Sequence, residues 1–254
     1  MLKKRIIPVQ LLYQGRLVKS KQFTAFRDVG DPVSSSRVYN SQYADELIFL
    51  NIERENNTIA SLVAVLDKVS EVCFMPLTLG GGIRSFTDAA VLIQQGADKI
   101  AINTVCYEKP SVLTEIAECF GKQAIVAVID VRWSKEESDY VLFTECGRAR
   151  QPLSLETHIK NCIQAGVGEI LIQSIDQDGL MTGYDIQLVQ RVCNISTVPV
   201  IACGGCGNYE HLKELFKVTN LSAAAAGSLF NFTDSNLIRA KAFLSNYQIP
   251  FKQV

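Results

Sequence analysis

An aspartate that closes a run of apolar residues is the first candidate for chemistry in this chain: Ala124-Ile-Val-Ala-Val-Ile-Asp130. At the C-terminal end of a barrel strand such a carboxyl faces the mouth, where it can act as general acid or base. Asp176, in Asp176-Gln-Asp178-Gly179, fits that role and plain loop capping equally well. The second candidate is a pair of glycine clusters. Residues 76–84 read Pro-Leu-Thr-Leu-Gly-Gly-Gly-Ile-Arg, residues 199–208 read Pro-Val-Ile-Ala-Cys-Gly-Gly-Cys-Gly-Asn, and Pro76 and Pro199 lie 123 residues apart. Backbone N–H groups bared by glycine and aimed at a helix start form an anion site. Barrels commonly seat a phosphate on the loops after the seventh and eighth strands, here Gly205 with Gly227 and Ser228. Half a barrel away the same geometry uses Gly82, Asn103 and Thr104. Two such corners suit a phosphorylated ligand with two anionic ends, whereas either cluster alone could be only a tight turn.

Cys203-Gly-Gly-Cys206 is the one cysteine pair at two-residue spacing, and the chain has only two histidines, His158 and His211. A zinc or redox site needs a second ligand pair or a thiol at a helix start. Packing of a tight turn is favoured, and neither a metal nor a cofactor is expected.

The elements that must hold these residues follow from hydrophobic patterning. Apolar runs recur at Arg5–Leu11, Glu46–Ile52, Phe74–Leu79, Asp98–Asn103, Ala124–Asp130, Glu169–Ser174, Val198–Cys203 and Ser222–Gly227. Most are continuously hydrophobic, as parallel strands covered by helices are. Between them lie helical patterns such as Ser111–Phe120, with apolar positions every three or four residues; Thr87 or Asp88 can cap the helix before it and Gly96 can end it. Eight βα units in 254 residues predict an α/β fold, one (β/α)8 TIM barrel over residues 1–254. The strand spacing runs long, medium, short in each half, which predicts half-barrel repeats of about 1–123 and 124–254. Each half also has a long first loop. Tyr13–Pro32, carrying Lys19, is predicted to be a mobile flap over an anionic ligand, and residues 132–151 a small hairpin.

Composition narrows the function. The net charge is −1, with 48% hydrophobic and 20% charged residues and no basic block, which gives nucleic-acid or membrane-surface binding little support. The opening Met1-Leu-Lys-Lys-Arg5 is basic, but Ile6–Leu12 is too short for a signal core or a membrane span. Eight scattered cysteines predict reduced thiols and a cytoplasmic location.

Along nearly its whole length the chain resembles the cyclase subunit of imidazole glycerol phosphate synthase. The resemblance is carried by Arg5-Ile-Ile-Pro8, Gly15-Arg-Leu-Val-Lys19, Arg27-Asp-Val-Gly-Asp-Pro32, Ala44-Asp-Glu-Leu47, Gly80-Gly-Gly-Ile-Arg84, Gly96-Ala-Asp-Lys99, Asp176-Gln-Asp-Gly179 with Gly183-Tyr-Asp185, and Gly204-Gly205. It implies a glutaminase subunit docked on the bottom face, an ammonia gate of Arg5, Glu46, Lys99 and Glu169, and ligand binding by Lys19, Asp178 and Gly179 as well as the two glycine corners. Charges inside a barrel are costly unless paired, so a transit role gives the four gate residues a purpose; a salt-bridged plug is the plainer alternative.

The resemblance also implies two catalytic aspartates. Asp130 is one. The other falls at position 11, where this chain reads Val9-Gln10-Leu11-Leu12, so Leu11 stands in place of an acid. Asn51, Gln173 and Leu180-Met181 depart from the family pattern at the same end. One general acid or base is worth about 10²–10⁴ in rate. An intact gate beside an altered reacting centre resembles the family branch that modifies acetamido sugars for surface polysaccharides, working with a glutaminase and a sugar amidotransferase. The alternatives are a genuine histidine-pathway cyclase and a non-catalytic channel scaffold that activates its glutaminase.

Overall fold

The computed structural model describes residues 3–53 and 58–251; Met1 and Leu2 of the basic opening lie outside them. Each of the eight predicted runs forms a strand, some trimmed at polar or proline ends and the first and fifth prolonged into hairpins, and twelve strands form among the described residues. In the first half these are β1 (Arg5–Tyr13), β2 (Arg16–Lys21), β3 (Thr24–Gly30), β4 (Leu47–Asn51), β5 (Leu77–Gly80) and β6 (Lys99–Ile102). The second half has β7 (Ile125–Ser134), β8 (Asp139–Thr144), β9 (Ala149–Gln151), β10 (Glu169–Ser174), β11 (Val200–Cys203) and β12 (Ala223–Ala226). Eight of them, β1, β4, β5, β6, β7, β10, β11 and β12, pair in parallel, and β10 returns to β7, closing the barrel. Alternation along each strand separates two apolar layers. Ile7, Val9, Ile48, Val126, Leu171, Ile201 and Ala223 fill the inside, while Ile6, Leu12, Phe49, Ile100 and Ile170 pack beneath the helices.

The outer helices are α1 (Pro32–Ser41), α2 (Ala60–Val69), α3 (Phe86–Gln94), α4 (Thr104–Glu108), α5 (Ser111–Phe120), α6 (Leu155–Gln164), α7 (Ile186–Ile195), α8 (Tyr209–Val218), α9 (Ser228–Phe232) and α10 (Leu237–Ser245). None is long and apolar enough to cross a membrane. The cap of α3 differs from expectation by a few residues. Ser85 accepts from the Asp88 N–H while Asp88 bonds back to the Ser85 N–H, so Ser85 is the cap and Asp88 its reciprocal partner. Gly96, at φ 112°, does follow the end of that helix.

The largest departure concerns Tyr13–Pro32. It is a hairpin: β2 pairs antiparallel with β1 through Leu11 and Val18, and β3 pairs with β2. Its far end is held by the loop after β10, where the Gln22 N–H donates to the Asp178 carbonyl at 2.9 Å. Lys19 consequently sits on a strand, buried, instead of riding a mobile flap. The expected second hairpin, β7–β8–β9, forms at the equivalent place, and β2 and β8 begin 123 residues apart. Phe23, at the tip of the first hairpin, lies against Gly147 of the second.

Candidate functional site at the barrel mouth

Asp130, near the C-terminal end of β7's barrel section, is 6% exposed, and its Oδ2 accepts from Asn103 Nδ2 at 2.8 Å. Burial pushes its pKa up to about 7; the Asn103 bond works against this and the nearby Asp178 charge adds to it. The group can therefore take up or release a proton near neutral pH. Asn103 Oδ1 is buried with no partner. Leu11, Asp130, Gln173 and Asn51 face one cavity of about 160 Å³, walled on one side by Gly81, Gly82, Asn103 and Thr104 and covered by Phe23 and Phe26 of the first hairpin.

A second cleft of about 30 Å³ gathers Lys19, Asp178, Gly179, Gly205, Gly227 and Ser228. Leu11 and Gln173 line both spaces, so they form the divide between the two corners. The corners share one backbone plan. Asn103 has φ −117° and ψ −79°, Gly227 has φ −117° and ψ −64°, and each is followed by a five-residue helix, α4 or α9. Behind them Gly81 and Gly82, and likewise Gly204 and Gly205, adopt positive φ values between 81° and 101°. A Cβ on Gly205 would lie 1.9 Å from the Gly183 carbonyl oxygen, so only glycine fits.

Side chains differentiate the corners. In the first, Asn103 holds the acid. In the second, Gly227 has no side chain and Lys19 occupies the space: a Cβ there would come 2.3 Å from Lys19 Nζ. That ammonium donates to the Val9 carbonyl, and burial lowers its pKa to about 8 against the pull of Cys203 and Asp178. Asp178 accepts from Ser20 Oγ at 2.7 Å and from the Phe23 N–H at 3.3 Å, which makes it the latch of the hairpin. Gly179 lets that latch form, since its Cβ would collide with the Ser20 carbonyl at 2.2 Å. Asp176 takes the plainer of its two roles: it accepts from the Trp133 N–H at 2.7 Å and lines neither space.

At the opposite end of the barrel, Arg5, Glu46, Lys99 and Glu169 form a ring of alternating charge. Lys99 Nζ lies 2.9 Å from both Glu46 and Glu169, Arg5 is 2.9 Å from Glu46, and Arg5 is also paired with Glu169. Burial pushes Glu169 upward, but Arg5 and Lys99 outweigh it and bring the carboxyl below its usual value. Thr78 joins this ring, donating to Glu46 Oε1 at 2.5 Å. Sequence reasoning missed Thr78, although its place two residues before Gly80 on β5 puts it on the inward face. It also missed Phe23 and Phe26, because no local pattern tells that a loop aromatic will reach over the mouth. Cys203 and Cys206 are free, buried thiols.

The family described as "Histidine biosynthesis protein" matches residues 5–236. The imidazole glycerol phosphate synthase subunit HisF of Lacticaseibacillus paracasei is 41% identical over 252 residues, 99% of this chain and 100% of the relative. The same-named subunit of Bacillus subtilis is 38% identical over 249 residues, 98% of this chain and 99% of the relative. That of Staphylococcus carnosus is 37% identical over 246 residues, 97% of each.

Proposed function

This chain belongs to the histidine biosynthesis protein family as a HisF-type cyclase subunit, and from that premise we propose that it is the ammonia-using barrel of a two-subunit glutamine amidotransferase. The observation that carries the reading is the ring of Arg5, Glu46, Lys99 and Glu169, a fully paired charge cluster across the bottom of an otherwise apolar barrel interior. A glutaminase subunit docks beneath the ring. Neutral ammonia enters there, passes between side chains such as Ile48, Val126, Leu171 and Ala223, and reaches an acceptor held at the mouth by the two glycine corners. Asp130 moves the proton, and Lys19 faces an anionic group of the acceptor. The reading implies a cytoplasmic protein, where its eight cysteines stay reduced.

The names of the relatives support ring closure to imidazole glycerol phosphate, in histidine biosynthesis, as the chemistry at the mouth. One observation favours a second acceptor. Leu11 is 7% exposed and lines both spaces, so the divide carries no acid; Asp130 and Glu145 line only the first space and Asp178 only the second, where it latches the hairpin. Amidation of an acetamido sugar for surface polysaccharide, with a sugar amidotransferase as further partner, tolerates that loss. The relatives' names back the histidine reading at least as strongly.

The test reconstitutes the chain with a HisH-type glutaminase and supplies the histidine-pathway substrate with either glutamine or an ammonium salt. Stimulated glutamine hydrolysis supports the amidotransferase reading, and its absence overturns it. Robust imidazole glycerol phosphate formation rejects the sugar acceptor; stimulated hydrolysis without that product rejects the histidine one.

A further inference from the structure

Two glutamines are buried among the described residues, Gln10 and Gln173. Both amide atoms of Gln10 are shut away from solvent with no partner. Gln173 differs. It is 4% exposed, its amide has no hydrogen-bond partner among the described residues, and neither amide atom is shut away. The residue lies two positions beyond Leu171 of the apolar interior, so it points inward near the C-terminal end of β10. It lines both spaces at the mouth, and Leu11, the other residue that does so, has no polar side-chain atom. The open amide of Gln173 is therefore the polar group of the divide.

Its neighbours limit what it can hold. In the parallel ladder Gln173 pairs with Asp130 of β7 and with Cys203 of β11, so it stands between the acid of the first space and the glycine corner that contains Lys19. A carboxamide offers an acceptor and two donors in one plane. An anion would use only the donors and face the carbonyl oxygen, and a cation would do the reverse. Two adjacent hydroxyls use both: one donates to the carbonyl oxygen while the other accepts from the amide N–H. In a nearly closed site an unmet donor or acceptor is costly, so such a group also rejects a ligand that lacks either hydroxyl.

We propose that Gln173 is a specificity-determining residue that holds a vicinal diol of a sugar phosphate at the divide, with the phosphate in the Lys19 corner. The inference rests on the reading of the mouth as the acceptor site and does not depend on which acceptor is used there. Leu11 lines the divide with Gln173, and its apolar side chain cannot compete for the hydroxyls. Bound in this way, the diol fixes the ligand along the line between the two corners and sets the neighbouring carbon beside Asp130, the ladder partner of Gln173.

Calorimetric titration of the full chain with ribose 5-phosphate, 2-deoxyribose 5-phosphate and inorganic phosphate tests this. The deoxy sugar keeps the phosphate and loses one hydroxyl of the pair. In the parent, ribose 5-phosphate should bind roughly tenfold more tightly than the deoxy sugar, the cost of one neutral hydrogen bond left unmade in a closed site. Gln173→Leu should bring the two affinities together, while the affinity for inorganic phosphate is unchanged and the urea unfolding midpoint is not lowered. Equal affinities in the parent overturn the proposal, as does a preference that survives in Gln173→Leu. So does a lowered urea midpoint in both Gln173→Leu and Gln173→Met, which would make the amide a support of the barrel. Phosphate binding without discrimination between the sugars leaves the Lys19 corner standing and removes only the role of Gln173. Failure of all three probes to bind removes the corner as an anion site, and the proposal with it.

Discussion

Replacing Asp130 with asparagine should stabilise the barrel, and by an amount that depends on pH. The carboxyl rises from an ordinary 3.8 to about 7 because it is buried. Between those two values the folded chain holds a proton that the unfolded chain has released, so stability falls as pH rises. The favourable contribution of the protonated acid is complete below about 3.8 and lost as pH passes 7. At about 1.4 kcal/mol per pH unit, the raised pKa of Asp130 costs the fold about 4 kcal/mol above pH 8, where the buried group is ionised, and about 1.5 kcal/mol at pH 5, where the fold must keep a proton that the unfolded chain has released. Asp130→Asn keeps a group of the same shape beside Asn103 and cannot ionise. Its advantage over the parent should therefore grow by about 2.5 kcal/mol from pH 5 to pH 8.5. Urea unfolding at the two pH values, followed through the single tryptophan, Trp133, measures this directly. All other titrations are common to both proteins and cancel in the difference. An advantage equal at the two pH values, within about 0.5 kcal/mol, means that burial does not hold the proton on Asp130 and refutes the reasoning.

Four further substitutions probe other parts. Leu11→Asp should raise ammonium-driven imidazole glycerol phosphate formation by about 10² or more if one missing acid is the chief impediment; unchanged rates would mean that the mouth has been rebuilt more widely, with Asn51 and Gln173. Lys99→Ala leaves two buried carboxylates facing Arg5 alone, a loss of about 3 kcal/mol in unfolding free energy. In the reconstituted enzyme it should also lower glutamine-driven relative to ammonium-driven turnover, and an unchanged ratio would count against a gate. Gly205→Ala, strained at φ 101° and colliding with backbone, should cost about 3 kcal/mol, whereas Gly227→Ala meets chiefly the movable end of Lys19, with the Val9 carbonyl oxygen at 3.2 Å, and should cost about 1 kcal/mol. For Gly227→Ala the expected loss is in affinity for a phosphorylated ligand, read by calorimetry; equal stability losses for the two variants would contradict the packing described.

Much of this was legible before any coordinates. Parallel strands are apolar on both faces, so runs such as Ala124–Asp130 and Val198–Cys203 announce themselves. The glycine corners were legible too, because a positive φ beside a helix start leaves few residue choices. The first hairpin was not. Tyr13–Pro32 is polar and without regular alternation, and β2 exists because Val18 pairs with Leu11 and Asp178 latches Ser20. Those are long-range contacts, as is the bond from Asn103 to Asp130 across 27 residues. The cap of α3 was missed for a smaller reason: Ser85, Thr87 and Asp88 are all competent, and only the reciprocal bond between the first and last selects Ser85.

The unequal side chains of the twin corners have a consequence for orientation. A barrel with two matching halves offers an elongated ligand two poses related by a half turn, and a perfectly symmetric mouth could not choose between them. Here one pole presents a neutral amide already engaged with an acid, and the other a buried ammonium. Turning a ligand end for end exchanges those environments, and an energy difference of only 1.4 kcal/mol between the poses fills one of them tenfold over the other. On the proposed reading, Asn103 against Gly227 would work as a compass, giving a pseudo-symmetric vessel a single reading direction.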